Sequence, residues 1–156
     1  MSASRAQVMA AVLARIQAMT FLAPINGKVT WQNNPATMAR LRLWSDVQPS
    51  EQPAAFLVTH REVDEYRNLG TLRRRLELLV WCYSRTDDQA LIGATDLDTM
   101  MQAFEATFNV IDQNSTGANT LDGLVYWCRI EGRVVKDPGD IDNQALLIVP
   151  LVVEMP

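Results

Sequence analysis

The run QALLIVPLVVE, residues 144–154, alternates like a strand but is apolar on both faces. Ala145, Leu147, Val149, Leu151 and Val153 line one side, and Leu146, Ile148, Pro150 and Val152 line the other. A strand of this kind needs cover on both faces. Pro150 adds a second demand, because it has no N–H for a ladder and belongs on an edge or at a bulge. An apolar edge strand invites stray pairing unless something shields it. Two covers meet these demands: helices of the same chain, or a second copy of the chain.

The rest of the sequence supplies candidates for the first cover. Residues 4–19 place Val8, Met9, Val12, Leu13, Ile16 and Met19 at helical spacing, with Ser4 and Gln7 forming a capping-box pattern. Residues 96–111 place Leu97, Met100, Met101, Phe104, Phe108 and Ile111 in a second stripe. Thr95 is the expected cap of that helix and Asp98 its third residue. Residues 21–35, punctuated by Pro24, Asn26-Gly27 and Asn34-Pro35, read as a loop with a short strand near Trp31. Residues 38–44 alternate, with Leu41 and Leu43 opposite Arg40, Arg42 and Trp44, as a half-buried strand does.

Residues 54–85 have an apolar start, AAFLV, and an apolar end, LELLVWCYS, around a charged middle with Asn68-Leu69-Gly70 as the turn. This predicts a long hairpin with an apolar base and a charged tip. Glu62, Asp64 and Glu65 are set to face Arg73, Arg74 and Arg75 across the pair. Residues 120–135 read as one strand, KDPGDID as a turn, and residues 144–154 as the last strand. The order predicts an α+β fold, a mainly antiparallel sheet with a long hairpin, packed by two helices. A chain of 156 residues without an internal repeat is expected to form one domain, 1–156.

Little in the sequence speaks of chemistry. His60 is the one histidine, and Cys82 and Cys128 both lie inside apolar runs without CxxC spacing. A Cys–His nucleophile would need His60 beside one of them across the hairpin, and nothing marks either thiol as activated. Asp137, Asp140 and Asp142 lack the ligand spacing of a calcium loop. No Gly-rich phosphate loop, HExxH or GxSxG occurs. No catalytic residue, metal or cofactor is expected. A net charge of −4 argues against a broadly basic surface for nucleic acid. No apolar run reaches the roughly 20 residues of a membrane span. The N-terminal stretch, broken by Arg5, Gln7, Arg15 and Gln17, does not read as a signal peptide.

Three segments carry a resemblance. RLRLWSDVQPSEQPAAFLV (40–58), TLDGLVYWCRIEG (120–132) and DPGDIDNQALLIVPLVV (137–153) resemble small tail-module proteins of tailed bacteriophages, of the tail terminator or tail completion kind. The order of elements between the segments also agrees. The charged stretch 60–75 departs from the family, whose members often carry a Gly/Pro-rich loop there. The resemblance implies a non-enzymatic structural protein of the virion tail, assembled in the bacterial host cytoplasm. It implies a homohexameric ring that caps the head-proximal end of the tail tube, stops its polymerisation and supports head–tail joining. Its partners would be further copies of itself, the tail tube protein and a head–tail connector protein. DNA would only pass through the ring lumen, and no membrane is involved.

The family has no catalytic motif to carry over, and Trp44, Pro53, Gly123, Gly132 and Pro150 look structural in its light. The surface expected to make protein contacts is the 40–44 strand with the hairpin: Arg40, Arg42, Trp44, Arg61, Glu62, Arg67, Arg73 and Arg75. The alternatives are another neck or connector protein, or a DNA-contacting module at the head–tail junction that uses the hairpin arginines.

Overall fold

The computed structural model describes residues 3–32, 46–67, 70–85, 93–109, 119–139 and 144–155. The expected strand at 38–44 lies outside them, and with it Arg40, Arg42 and Trp44. The described elements are α1 (Arg5–Gln17), a single 3-10 turn (Pro49–Glu51), β1 (Ala54–Arg67), β2 (Thr71–Arg85), α2 (Gly93–Phe108), β3 (Trp127–Ile130), β4 (Val135–Asp137) and β5 (Gln144–Met155). The five strands form one antiparallel sheet in the order β1-β2-β5-β3, with β4 also pairing with β5. The α+β fold expected from the sequence is the fold observed.

Helix α1 begins where its cap predicts. Ser4 Oγ accepts from the Gln7 N–H at 3.2 Å, and Gln7 Oε1 accepts from the Ser4 N–H at 2.8 Å. Two orphan donors of the first turn are thereby satisfied. Helix α2 starts earlier than expected, at Gly93, so Thr95 is a first-turn residue and not the cap. Its carbonyl accepts from Thr99 Oγ1 at 2.9 Å, and Asp96 turns inward to accept from Ser84 Oγ at 3.1 Å. Gly93 is there because the chain passes close by. A Cβ on it would stand 2.1 Å from the Pro138 carbonyl oxygen.

Both helices lie on one face of the sheet and bury their stripes there. Val8, Val12 and Ile16 of α1, with Leu97, Met100, Phe104 and Phe108 of α2, meet Leu76, Leu78, Val80 and Cys82 of β2 and Leu147, Val149, Leu151 and Val153 of β5. Each such side chain contributes about 1.5–3 kcal/mol by leaving water. The described residues at Trp31 form no strand, contrary to expectation, and those from 33 to 45 lie outside the described ones. Trp31 closes one end of this core edge-on to Phe21, with centroids 4.9 Å apart, and 6.1 Å from Phe104.

The β1–β2 hairpin has the predicted register in outline. Asp64 pairs with Arg74 and Glu65 with Arg73, while Val63, not an acid, faces Arg75. One irregularity, at His60, interrupts the ladder between Thr59 and Arg61. The β2–β5 pairing stops at Arg74↔Met155, whereas β1–β2 runs on to Arg67↔Thr71. The tip therefore clears β5 by three residues, about 10 Å at the rise of a strand.

Two expectations fail on β3 and β4. Residues 120–126 do not extend the strand, because Leu121, Asp122 and Gly123 have φ of 50°, 60° and 86°. Three successive left-handed residues make a turn, not a ladder. Asn119 Oδ1 and Thr120 Oγ1 hold that turn by accepting from the N–H groups of Leu121 and Gly123. The expected KDPGDID turn is shortened too, since Lys136 and Asp137 belong to β4.

Strand β5 is central, with β2 on one side and β3 and β4 on the other. Pro150 is nevertheless accommodated. Its partner side falls between Ile130↔Leu151 and Val135↔Ile148, where residues 131–134 leave the ladder. The Pro150 carbonyl accepts from the Glu131 N–H at 3.3 Å. In an antiparallel strand the N–H and C=O of one residue point to the same neighbour. The missing donor therefore faces the detour, where no ladder bond is lost. Gly132, at φ 123°, sits over the proline ring, and a Cβ there would lie 3.3 Å from it.

Candidate assembly surface

Every strand alternates, so the sheet has a second face that the helices do not touch. It carries Phe56, Val58, Arg61, Val63 and Glu65 of β1 and Arg73, Arg75, Glu77, Leu79, Trp81 and Tyr83 of β2. Beside these lie Leu146, Ile148, Pro150, Val152 and Glu154 of β5, with Trp127 and Arg129 of β3 and Val135 of β4. This outer face divides into three zones.

One end is covered by the chain itself. Val47 packs with Ala54, Phe56 and Tyr83, and Trp81 and Leu146 lean against them. A reciprocal amide pair fastens the covering segment. Gln52 Nε2 donates to Gln144 Oε1 at 3.3 Å and to the Val47 carbonyl at 3.2 Å. Gln144 Nε2 donates back to Gln52 Oε1 and to the Ser84 carbonyl, both at 3.2 Å. These buried polar groups are satisfied, as burial requires.

The middle zone is apolar and only half covered. Val58, Leu79, Trp81 and Ile148 are half-buried, and Val135 is 41% exposed. Where residues 131–134 leave the sheet, this zone deepens into a cavity of about 250 Å³. Leu79, Pro150 and Val152 line its apolar part, and His60, Arg61, Glu77, Glu131 and Arg133 its polar part. Arg61 holds Glu77 through two guanidinium nitrogens, Nε and Nη2, and that pairing keeps the Glu77 carboxyl below the usual carboxylate range.

The third zone, at the hairpin end, is a strip of arginines laid over aromatic rings. Arg129 lies 4.0 Å and Arg75 5.9 Å from the Trp127 ring centre, and Arg73 lies 5.6 Å from that of Tyr126. Arg73 also donates to the buried Glu154 carboxylate at 3.2 Å, and Arg129 to Glu131 at 3.1 Å. Contacts of this kind are individually worth about 0.5–1 kcal/mol when exposed. Together they keep three long side chains flat on the sheet.

The expected contact residues are therefore not one patch. Arg61, Arg73 and Arg75 share the outer face. Glu62 points to the helix side, where Arg5 of α1 meets it at 2.6 Å and Arg74 at 2.9 Å. The Arg5 guanidinium holds the Glu62 carboxyl below its ordinary range. Arg67 ends β1 opposite Thr71. Sequence reasoning missed Tyr126, Trp127, Arg129 and Arg133 as parts of this surface. The alternation of Trp127, Arg129, Glu131 and Arg133 was visible, but not the pairing with β5 that sets them beside Arg75.

The hairpin register also separates the one candidate Cys–His pair. His60 lies next to the Leu78–Glu77 step, four residues from Cys82, or about 13 Å along the strand. Burial pushes the Cys82 thiol well above its ordinary pKa and that of Cys128 up to about 12. Both thiols stay protonated at neutral pH, so neither is an activated nucleophile. Among the described residues, no three His, Cys, Asp or Glu side chains gather as a metal site. No described helix is long and apolar enough to cross a membrane. Comparison of the chain with models of known protein families and with curated proteins finds no match in either.

Proposed function

We propose that this chain is a structural protein of a phage tail, acting by contact and not by turnover. It forms a ring on the head-proximal end of the tail tube, stops tube growth and supports joining to the head. The reading rests on the resemblance of three sequence segments and on one structural observation. The described helices cover only one face of the sheet, and the central zone of the other is half-buried Val58, Leu79, Trp81 and Ile148. A contiguous apolar zone that the described residues cover only in part is the kind of surface a partner completes. Ring closure needs a heterologous interface whose rotation returns to the start. A ring with one face matched to the tube subunit and the other face not would end polymerisation.

The test is to add the purified protein to growing tail tubes of the same phage and to measure tube length and end structure by negative-stain electron microscopy. The reading expects shorter tubes with a ring at one end. Tubes of unchanged length, bearing no ring at either end, would contradict it.

A second reading draws on the arginine strip, in which Arg73, Arg75 and Arg129 lie flat beside Tyr126 and Trp127. A DNA-contacting module at the head–tail junction would use such a strip on phosphates, and its binding would fall steeply with salt. Absence of DNA retention at low salt would remove this reading.

A further inference from the structure

Two breaks in the ladders stand at one level of the sheet. On β1 the irregularity at His60 falls opposite Leu78 and Glu77. Those two residues pair with Leu151 and Val152 of β5, and Leu151 pairs with Ile130, the last residue of β3 before the detour. The cavity of about 250 Å³ opens on the outer face between the two breaks. Leu78 and Leu151 send their side chains into the helix-side core, so Leu79, Pro150 and Val152 make its apolar floor.

The polar wall is spent unevenly. Both carboxylates that line the cavity already hold an arginine, Glu77 with Arg61 and Glu131 with Arg129. The other acids of the outer face, Glu65, Asp137 and Glu154, stand opposite Arg73, Leu146 and Arg75, and none of them lines the cavity. His60 and Arg133 also line it, and neither makes a hydrogen bond or ion pair among the described residues. What stays free beside the apolar floor is thus a guanidinium and an imidazole, which has a ring N–H to donate even when neutral. An apolar cavity of about 150 Å³ holds a benzene ring, so this one has about 100 Å³ more for a short link and a polar head.

We infer that this cavity binds a small carboxylate whose apolar body is about the size of one ring. The carboxylate meets Arg133 and His60, and the ring lies on Leu79, Pro150 and Val152. A cationic ligand would have to displace Arg61 or Arg129 from its carboxylate. A neutral one would leave the Arg133 guanidinium without a charge partner. The site does not depend on the ring reading above, and either can fail alone.

His60 is the only histidine of the chain, so its ring-proton signals report on this cavity and no other place. The experiment titrates the untagged full chain with 3-phenylpropionate and follows those signals by proton NMR. A saturable shift is expected, with Kd on the order of 1 mM for a ligand this small. Its neutral isostere, 3-phenylpropionamide, is expected to bind about fivefold more weakly or worse. Arg133→Gln changes an exposed residue and leaves the core intact, which circular dichroism checks. It is expected to weaken the acid about fivefold or more. Arg5→Gln makes the same charge change on the helix side and should stay within about twofold of the parent.

No saturable shift up to about 20 mM acid overturns the inference. Equal affinity for acid and amide, or an Arg133→Gln chain that binds like the parent, also overturns it, because the free guanidinium would then play no part. A loss in Arg5→Gln as large as that in Arg133→Gln overturns it too, since net charge and not this site would be drawing the acid.

Discussion

Leu146 and Leu147 are neighbours on β5, identical in chemistry and opposite in direction. Leu147 is fully buried beneath the helices, whereas Leu146 is half-buried on the outer face. Truncating each to alanine removes the same three carbons, so the difference between the two variants reports the environment alone. At about 0.8 kcal/mol per buried carbon, Leu147→Ala loses about 2.4 kcal/mol of transfer free energy. The cavity it leaves in a core that relaxes only partly raises the loss to about 3 kcal/mol. Leu146→Ala begins from a side chain already partly in water, packed only against the cluster at its end of the outer face, and should lose about 1.5 kcal/mol.

In a domain of this size 1 kcal/mol corresponds to about 3 °C in Tm, so the expected losses are about 9 °C and about 4–5 °C. Urea denaturation followed by circular dichroism and tryptophan fluorescence gives the free energies, and thermal scans give the Tm. The samples should be dilute enough to be dispersed, because a neighbour covering the outer face would add to the cost of Leu146→Ala. Equal losses for the two variants in dispersed chains would refute the argument that the helices shield one face only.

Other consequences can be checked on the same material. Gly93→Ala should lower the urea midpoint by an amount equivalent to about 2 kcal/mol or more, because the new methyl meets the Pro138 carbonyl oxygen and backbone has to move. An unchanged midpoint would contradict the close approach of the 138–139 turn to α2. Cys82 and Cys128 should resist iodoacetamide at neutral pH in the folded chain and react in urea; rapid alkylation of the native protein would contradict their burial.

Burial raises the Asp96 carboxyl above its ordinary value of 3.8. The stability linked to its neutral form is therefore fully present below that value and lost as pH rises through the folded pKa. Asp96→Asn keeps an acceptor for Ser84 and removes the buried charge. Its Tm should exceed that of the parent at neutral pH, with the gap shrinking as pH falls toward 3.8; a lower Tm at neutral pH would show that the carboxylate is favoured where it stands.

Much of the fold was legible because it depends on short-range signals. The Ser4–Gln7 capping box located α1, the Leu97-to-Phe108 stripe located α2, and the turn at Gly70 between charged arms located the hairpin. The two-faced character of β5 also implied a strand needing cover on both sides. What escaped were matters of long-range pairing and backbone sign. Nothing local shows that Leu121 and Asp122 adopt positive φ, since L-residues rarely do so. Nothing local places Pro150 in a central strand either. That becomes legible only when residues 131–134 are seen to detour around its missing N–H.

The contact surface suffered in the same way. Arg61, Arg73 and Arg75 were identified one by one, but Glu62 was assigned with them although alternation turns it toward α1. The irregularity at His60 shifts the face of every later β1 residue by one, and a shift of one residue moves a side chain to the other face. The aromatic rings beneath the arginines come from a segment about 50 residues further along the chain, joined to them only through β5.

The most direct test of the account is the molar mass of the unmodified chain in solution, measured by multi-angle light scattering across a concentration series. An apolar zone of the sheet, half covered by the described residues and completed by a neighbour, predicts a defined oligomer. Six copies of a 17.5 kDa chain would give a species of about 105 kDa. A mass of 17.5 kDa at every concentration would contradict the claim that another copy covers the outer face of the sheet.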